Sequence, residues 1–73
     1  MKPSDDEVRA VLDRITHDLN NELGVIINYA TLLERSLTDE GALADVGEIL
    51  IAAREATELV RQLVSEVGRS EAT

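Results

Sequence analysis

The side chains best suited to chemistry in this sequence cluster around a single histidine. The chain has one histidine, His17, and no cysteine, and a neutral imidazole is a good nucleophile near pH 7. Asp18 follows it directly, and a carboxylate can fix the imidazole tautomer and take up charge as a proton moves. Asn20 and Asn21 come next, and an amide one helical turn from His17 could orient a water or an oxyanion. We therefore take His17, Asp18 and Asn21 as the candidate catalytic residues.

Other kinds of site fit the sequence less well, and the simplest alternative for His17 is a solvated surface histidine. A metal site needs further imidazoles or well-placed carboxylates, and Glu22 and Asp13 are poorly spaced from His17. No glycine-rich phosphate loop is present. Two asparagines inside a helix, where stability alone would choose other residues, favour a function beside His17. A hydrolytic triad would need a nearby serine, and all the serines lie far from His17 along the chain: Ser4, Ser36, Ser65 and Ser70.

His17 lies in a segment with the periodicity of a long amphipathic helix. The segment begins with a capping-box pattern, in which Ser4 is the N-cap and Glu7 reaches back to it. Apolar residues then recur in steps of three and four. These features predict helix 1 from about residue 5 to about residue 37. Its predicted core positions are Val8, Leu12, Ile15, Leu19, Leu23, Ile26, Ala30, Leu33 and Leu37.

A second helix, over about residues 42–67, follows a short connection. Thr38 is predicted as its N-cap and Gly68 as its C-cap. Two adjacent apolar seams run along this helix, so it should contact two neighbours rather than one. The first seam is Leu43, Val46, Leu50, Ala53, Thr57, Val60, Val64 and Val67, and the second is Ile49, Ala52, Ala56, Leu59 and Leu63.

These elements predict one all-α domain over residues 1–73, an antiparallel two-helix hairpin that homodimerises into a four-helix bundle. A chain of 73 residues with one aromatic side chain and no disulfide buries little surface. That burial must offset a conformational entropy on the order of 110 kcal/mol. A second copy would complete the core that one hairpin leaves half built.

On a helical wheel at about 100° per residue, His17 falls opposite the predicted core of helix 1. Glycine inside a helix costs about 1 kcal/mol relative to alanine, and Gly24 would leave room beside His17 for another protein. We therefore predict that partners bind to a polar strip beside His17, formed by Asn20, Gly24, Asn28 and Thr31.

Composition excludes several classes of function. The 7 basic and 15 acidic residues give a net charge of −8, whereas nucleic acids and anionic membranes require a basic surface. The longest apolar run, residues 25–27, is too short to span a membrane. The first six residues lack the apolar core of a signal peptide, so the expected compartment is the cytoplasm.

Two stretches of this sequence resemble the dimerisation and histidine phosphotransfer domain of sensor histidine kinases. The stretch Ile15–Leu23, which reads Ile-Thr-His-Asp-Leu-Asn-Asn-Glu-Leu, and the following Val25–Leu33 resemble its H-box helix. They look closest to the subgroup with a His-Asp-Phe-Asn-Asn-x-Leu signature, although Leu19 replaces the aromatic residue. Glu22 stands where many members have proline. Helix 2 is similar over residues 50–64, and the whole likeness covers roughly residues 8–68.

The resemblance implies that His17 accepts the γ-phosphoryl group of ATP from a separate catalytic domain and passes it to a response-regulator receiver domain. Asp18 would be the acid/base partner, and Asn21 occupies the position of the residue that positions water for dephosphorylating the regulator. ATP and magnesium are expected on that catalytic domain, with no cofactor in this chain. The chain lacks the boxes of that domain, so it cannot phosphorylate itself from ATP alone. A structural dimeric hairpin and a regulatory decoy without phosphotransfer remain the alternatives.

Overall fold

The protein folds as two long helices joined by a three-residue connection. A computed structural model describes residues 4–72, with side chains for residues 4–69. Helix α1 spans Asp5–Ser36 and α2 spans Glu40–Ala72, and no strand occurs among the described residues. The helices pack against each other as a hairpin measuring 54 × 19 × 17 Å. The predicted all-α hairpin is thereby confirmed.

Side-chain oxygens cap the start of both helices. The Ser4 hydroxyl accepts a hydrogen bond from the Glu7 backbone N–H at 3.1 Å, as the capping-box pattern predicts. At the start of α2, the Asp39 carboxylate accepts from the Ala42 backbone N–H at 2.8 Å. The N-cap of α2 is therefore Asp39, and the prediction of Thr38 is wrong by one residue. Both residue types can cap, but only Asp39 lies directly before the first helical residue.

Helix α2 extends beyond the predicted C-cap. Gly68 lies inside the helix without the positive φ angle that a glycine C-cap adopts, so that prediction is wrong. The helix continues because the residues after Gly68 tolerate helical geometry, and Arg69 forms an ion pair with Glu66 at 3.2 Å across one turn. The predicted α2 of about residues 42–67 is thus shorter than the observed helix at both ends.

Two small clusters of aliphatic side chains hold the helices together. Leu23 packs with Ala53 and Val60, and Ala30 packs with Val46 and Leu50 nearer to the connection. Ile27 contacts both clusters and joins them. The buried residues of α2 all belong to its first predicted seam, and Thr16 is buried against the same side of α1.

The predicted core of α1 is only partly correct. Leu23 and Ala30 are buried, but five other positions of that series remain 43–48% exposed: Val8, Ile15, Leu19, Ile26 and Leu33. On the helical wheel the residues that face α2 are centred roughly a quarter turn away from these five. The second seam of α2 is similarly uncovered, with Ile49, Leu59 and Leu63 exposed. Each helix therefore has one apolar stripe buried in the hairpin and a second one left open.

The single hairpin exposes more surface than a compact protein of its mass. Its accessible surface is 5866 Å², whereas a compact 8.0 kDa monomer exposes about 4,450 Å². The excess is about 1,400 Å², and a stable dimer of standard to large size buries about 800–2,500 Å² per partner. The surplus surface thus has the size of a dimer interface.

Candidate functional site

His17 projects into solvent from the N-terminal half of α1. Its side chain is 77% exposed, and the neighbouring Asp18 is 67% exposed. The placement on α1 agrees with the predicted polar strip, because the buried seam of this helix lies about a third of a turn away on the helical wheel. The imidazole is therefore accessible to a large reactant without any movement of the hairpin.

Two side chains of the same helix contact the same ring nitrogen of His17. The Asn21 amide nitrogen lies 3.5 Å from Nδ1, one turn along the helix. The Asp18 carboxylate oxygen Oδ1 lies 3.9 Å from the same atom. Both groups lie on the side of Nδ1, the ring nitrogen nearer to the backbone, so Nε2, the nitrogen farther from the backbone, is the one that an incoming group would meet.

The predicted partner-binding residues divide between the exposed strip and the edge of the helix–helix contact. Asn20 and Asn28 are exposed, whereas Gly24 and Thr31 are half-buried beside α2. The Thr31 hydroxyl donates to the Ile27 carbonyl oxygen at 2.7 Å, so its hydrogen bond is made within the helix. Thr31 thus lies nearer to α2 than its place on the predicted strip implies.

A groove of about 540 Å³ runs between the helices beside His17. Asn20, Gly24 and Ile27 form its α1 wall, and Asn20 and Gly24 lie one and two turns along the helix from His17. A methyl group built on Gly24 would meet no atom within 4 Å, so the packing of the hairpin does not require glycine there. The groove is lined by Asn20, Gly24, Ile27, Thr57, Val60, Arg61, Val64 and Ser65.

Helix α2 contributes residues to this groove that were not predicted from the sequence. Arg61 places a cation at its wall, where the guanidinium forms an exposed ion pair with Glu58 at 3.4 Å. Thr57 and Ser65 add hydroxyl groups, of which that of Thr57 donates to the Ala53 carbonyl oxygen at 2.9 Å. The sequence shows only that Arg61 lies beside an apolar seam of α2. The alignment of α2 along α1, which brings Arg61 and Asn20 to the same groove, comes only from the fold.

The groove and the open apolar stripes lie on opposite sides of the hairpin. On the helical wheel, the groove residues of each helix fall on one side of its buried seam and the open stripe falls on the other. We call the groove side, with His17, Asn20, Asn21, Gly24, Asn28 and Arg61, the polar face. We call the other side, with Val8, Ile15, Leu19, Ile26, Leu33, Ile49, Leu59 and Leu63, the apolar face. The candidate site is thus separated from the surface best suited to self-association.

Two further kinds of feature are absent from the described part of the chain. Among the described side chains, those of residues 4–69, no three His, Asp or Glu side chains come close enough together to hold a metal ion. Neither described helix is long and apolar enough to cross a membrane.

Comparison with protein-family models, with curated proteins and with solved structures gives no match to this chain. The residues around His17 and the two faces of the hairpin are therefore the features that bear on its function.

Proposed function

We propose that this chain is a dimeric histidine phosphotransfer domain of two-component signalling, in which His17 carries the phosphoryl group. The supporting observation is the position of the imidazole, 77% exposed on the polar face and away from the apolar face. A second copy could cover the apolar face while His17 stays accessible. A histidine without a partner could lie anywhere on the surface, but this one lies beside Asp18, Asn21 and an open groove.

The proposed reaction consists of two phosphoryl transfers. In the first, the lone pair of Nε2 attacks the γ-phosphorus of ATP bound with magnesium to a separate catalytic domain. The bond between phosphorus and the bridging oxygen breaks, and ADP leaves with the electron pair. In the second, a carboxylate oxygen of a receiver-domain aspartate attacks the phosphorus, and the N–P electron pair returns to the imidazole. This chain contributes the nucleophile, its orientation and the surface on which both partners bind.

Asp18 and Asn21 have separate roles in this proposal. The Asp18 carboxylate can accept a hydrogen bond from Nδ1–H. This leaves the Nε2 lone pair free and stabilises the positive charge on the ring during attack. The Asn21 amide lies one turn along the polar face, where it could also orient a water against an aspartyl phosphate of the docked regulator. Both roles require the side chains to be exposed, as they are here.

A second copy of this chain is the proposed occupant of the apolar face. The area supports this choice, because the excess of about 1,400 Å² falls within the range that one partner buries in a stable dimer. The composition supports it too, since a hairpin of this size buries too few side chains for much stability alone. Pairing of the two open stripes would build the four-helix bundle in which α2 has two neighbours.

The polar face is the proposed binding surface for the catalytic and receiver domains. Asn20, Gly24 and Asn28 would form the α1 side of that surface, and Arg61 would add a positive charge on the α2 side. A receiver domain presents carboxylates around its phosphorylation site, and Arg61 can bind one of them by exchanging its exposed ion pair with Glu58. In this proposal the domain works in the cytoplasm, where ATP is available to the catalytic domain.

Transfer from an ATP-loaded histidine kinase catalytic domain tests the proposal. The full chain is incubated with such domains and radiolabelled ATP, and the label is divided into acid-labile and acid-stable fractions. We expect acid-labile label on the wild type, its loss in His17→Gln and its passage to a receiver domain. The matched control is Gln62→Glu, an exposed position on α2, which should keep the label. Label that survives His17→Gln would overturn the proposal.

The other two functions are distinct outcomes of the same experiments. A purely structural hairpin would dimerise through the apolar face and take no label from any donor domain. A regulatory decoy would inhibit a kinase, and that inhibition would survive His17→Ala.

A further inference from the structure

The two neighbours of His17 Nδ1 require opposite positions of the ring proton. The Asn21 amide nitrogen, 3.5 Å away, can only donate, so this contact needs an Nδ1 without a proton. The Asp18 carboxylate, 3.9 Å away, accepts when ionised, so it needs Nδ1–H. A neutral imidazole carries one ring proton. The two contacts therefore exclude each other, and each specifies one tautomer.

The tautomer decides whether the outer nitrogen can act as a nucleophile. When Asn21 donates to Nδ1, the proton lies on Nε2, and the solvent-facing nitrogen has no lone pair for attack. The available lone pair is then on Nδ1, where the amide and the side chain's own helix crowd it. When Asp18 accepts from Nδ1–H, the lone pair lies on Nε2 and points into solvent. The first arrangement is unreactive and the second is reactive.

We propose that Asn21 and Asp18 compete for His17 Nδ1, and that Asn21 holds the ring in a resting tautomer until a partner engages its amide. The proposal rests on the proposed function and adds a control step to it. In this structure the Asn21 amide nitrogen lies nearer to Nδ1 than the Asp18 carboxylate does, at 3.5 Å against 3.9 Å. Asn21 lies on the polar face, so a docking domain that accepts a hydrogen bond from its amide releases Nδ1 to Asp18. Binding of the partner then exposes the Nε2 lone pair, with Asn21 as a positioning residue.

Nitrogen NMR on the full chain tests the competition without any partner protein. Long-range proton–nitrogen spectra of ¹⁵N-histidine-labelled protein, at a pH where the ring is neutral in every variant, report the ratio of the two tautomers. In Asn21→Ala we expect the ratio of Nδ1–H to Nε2–H to rise about two- to fivefold, since one exposed hydrogen bond is lost. In Asn21→Asp we expect a larger rise, because a carboxylate of the same shape accepts from Nδ1–H. Asp18→Ala should lower the ratio.

The control and the contrary result separate this effect from a general change of charge or fold. Gln62→Glu adds one negative charge on α2 without changing the neighbours of the ring, so the ratio should equal that of the wild type. Equal ratios in the wild type, Asn21→Ala and Asn21→Asp would overturn the proposal. Asn21 is exposed, and circular dichroism of each variant verifies that the helices are intact.

Chemical phosphorylation then links the tautomer to reactivity. With phosphoramidate as a small donor, the P–N bond of the donor breaks, ammonia leaves with the electron pair, and the Nε2–P bond forms. The initial rate should follow the fraction of Nδ1–H, so it rises in Asn21→Ala and again in Asn21→Asp. A rate that stays constant while the tautomer ratio changes would refute the link. Neither measurement uses ATP or a catalytic domain, so failure here is distinct from failure of phosphotransfer.

Discussion

The polar and apolar faces of the hairpin are built from the same two helices, but each departs from what a stable monomer would use. The apolar face leaves eight large aliphatic side chains in water, where they gain nothing from burial. The polar face contains Asn20, Asn21 and Gly24 inside a helix, where residues such as alanine and glutamate would be more favourable. Neither choice stabilises a lone hairpin. Both are explained if each face meets a different protein: a second copy on one and a signalling partner on the other.

The side chains buried between the helices connect the two faces energetically. The buried apolar core of the described residues consists of six side chains, and the largest are Leu23 and Leu50. Such a core contributes little stability, so the hairpin should depend on association through the apolar face. If a second copy covers the apolar face, the stability of that dimer would allow the polar face to keep unfavourable residues.

The largest expected effect is the loss of association when a charge enters the apolar face. Ile26→Asp places a carboxylate at a position that a second copy would bury unpaired, which costs several kcal/mol. We expect sedimentation analysis to give a monomer, with reduced helical circular dichroism at the same concentration. The matched control is Ile51→Asp, because Ile51 is similarly exposed (51% against 45% for Ile26) and lies outside the apolar face. An unchanged dimer in Ile26→Asp would break the distinction between the faces.

The second prediction compares a buried leucine with an exposed one on α2. Leu50 is 3% exposed, and Leu50→Ala should lower the free energy of unfolding by about 2–4 kcal/mol in chemical denaturation. Leu59 is 64% exposed in the hairpin, so Leu59→Ala would cost almost nothing in a monomer. If a second copy covers Leu59, we expect a loss of about 1–2 kcal/mol, and the denaturation midpoints of both the wild type and Leu59→Ala should fall as the protein is diluted. Midpoints that do not depend on protein concentration would argue against the dimer.

The third prediction separates stability from function on the polar face. Gly24→Ala should raise the free energy of unfolding by about 1 kcal/mol, because the added methyl group meets no atom within 4 Å and alanine favours the helix. The same methyl group narrows the groove, so phosphotransfer to a receiver domain should slow.

Gly47→Ala is the control for this prediction. An added methyl group at Gly47 also meets no atom within 4 Å, and Gly47 does not line the groove. It should give a similar gain in stability without slower transfer. If both variants transfer at the wild-type rate, the groove beside His17 is not a docking surface.

The smallest expected effect lies at the connection, away from both faces. Asp39→Ala removes the cap on the Ala42 backbone N–H and should lower the free energy of unfolding by about 0.5–1 kcal/mol. Asp39→Asn should retain most of that stability, since asparagine caps as well. Thr38→Ala should change the free energy of unfolding little, and thermal denaturation of the three variants measures all of these effects. A larger loss for Thr38→Ala than for Asp39→Ala would contradict the assigned cap.

The sequence predicted the helices better than it predicted their faces. Steps of three and four residues indicate a helix whatever it packs against, so both helices were found. The capping role of Ser4 could be read from its pattern, but the choice between Thr38 and Asp39 could not, because both residue types accept the same hydrogen bond. The end of α2 was missed at Gly68, since a glycine inside a helix costs only about 1 kcal/mol and neighbouring residues can offset it.

The α1 side of the candidate site was also predicted from the sequence, and the α2 side was not. Asp18 directly follows His17, and Asn21 is four residues further along the chain than His17. Once the segment is helical, this spacing alone makes the three side chains neighbours. The approach of Arg61 to Asn20 depends on how far α2 slides along α1, and no local pattern encodes that register. Thr31 illustrates the same limit, because its place beside α2 follows from which side of α1 the second helix covers.

The sequence by itself determined that the chain forms two amphipathic helices and that one imidazole lies off their main apolar stripe. Both properties follow from residue spacing and the fixed pitch of the α-helix. Only the tertiary structure decided which half of each broad apolar stripe is buried, because Leu19 and Leu23 are equally apolar and either could face α2. The packing of small residues such as Ala30 and Ala53 lets the helices approach on one side, and the remaining stripe is left open opposite His17.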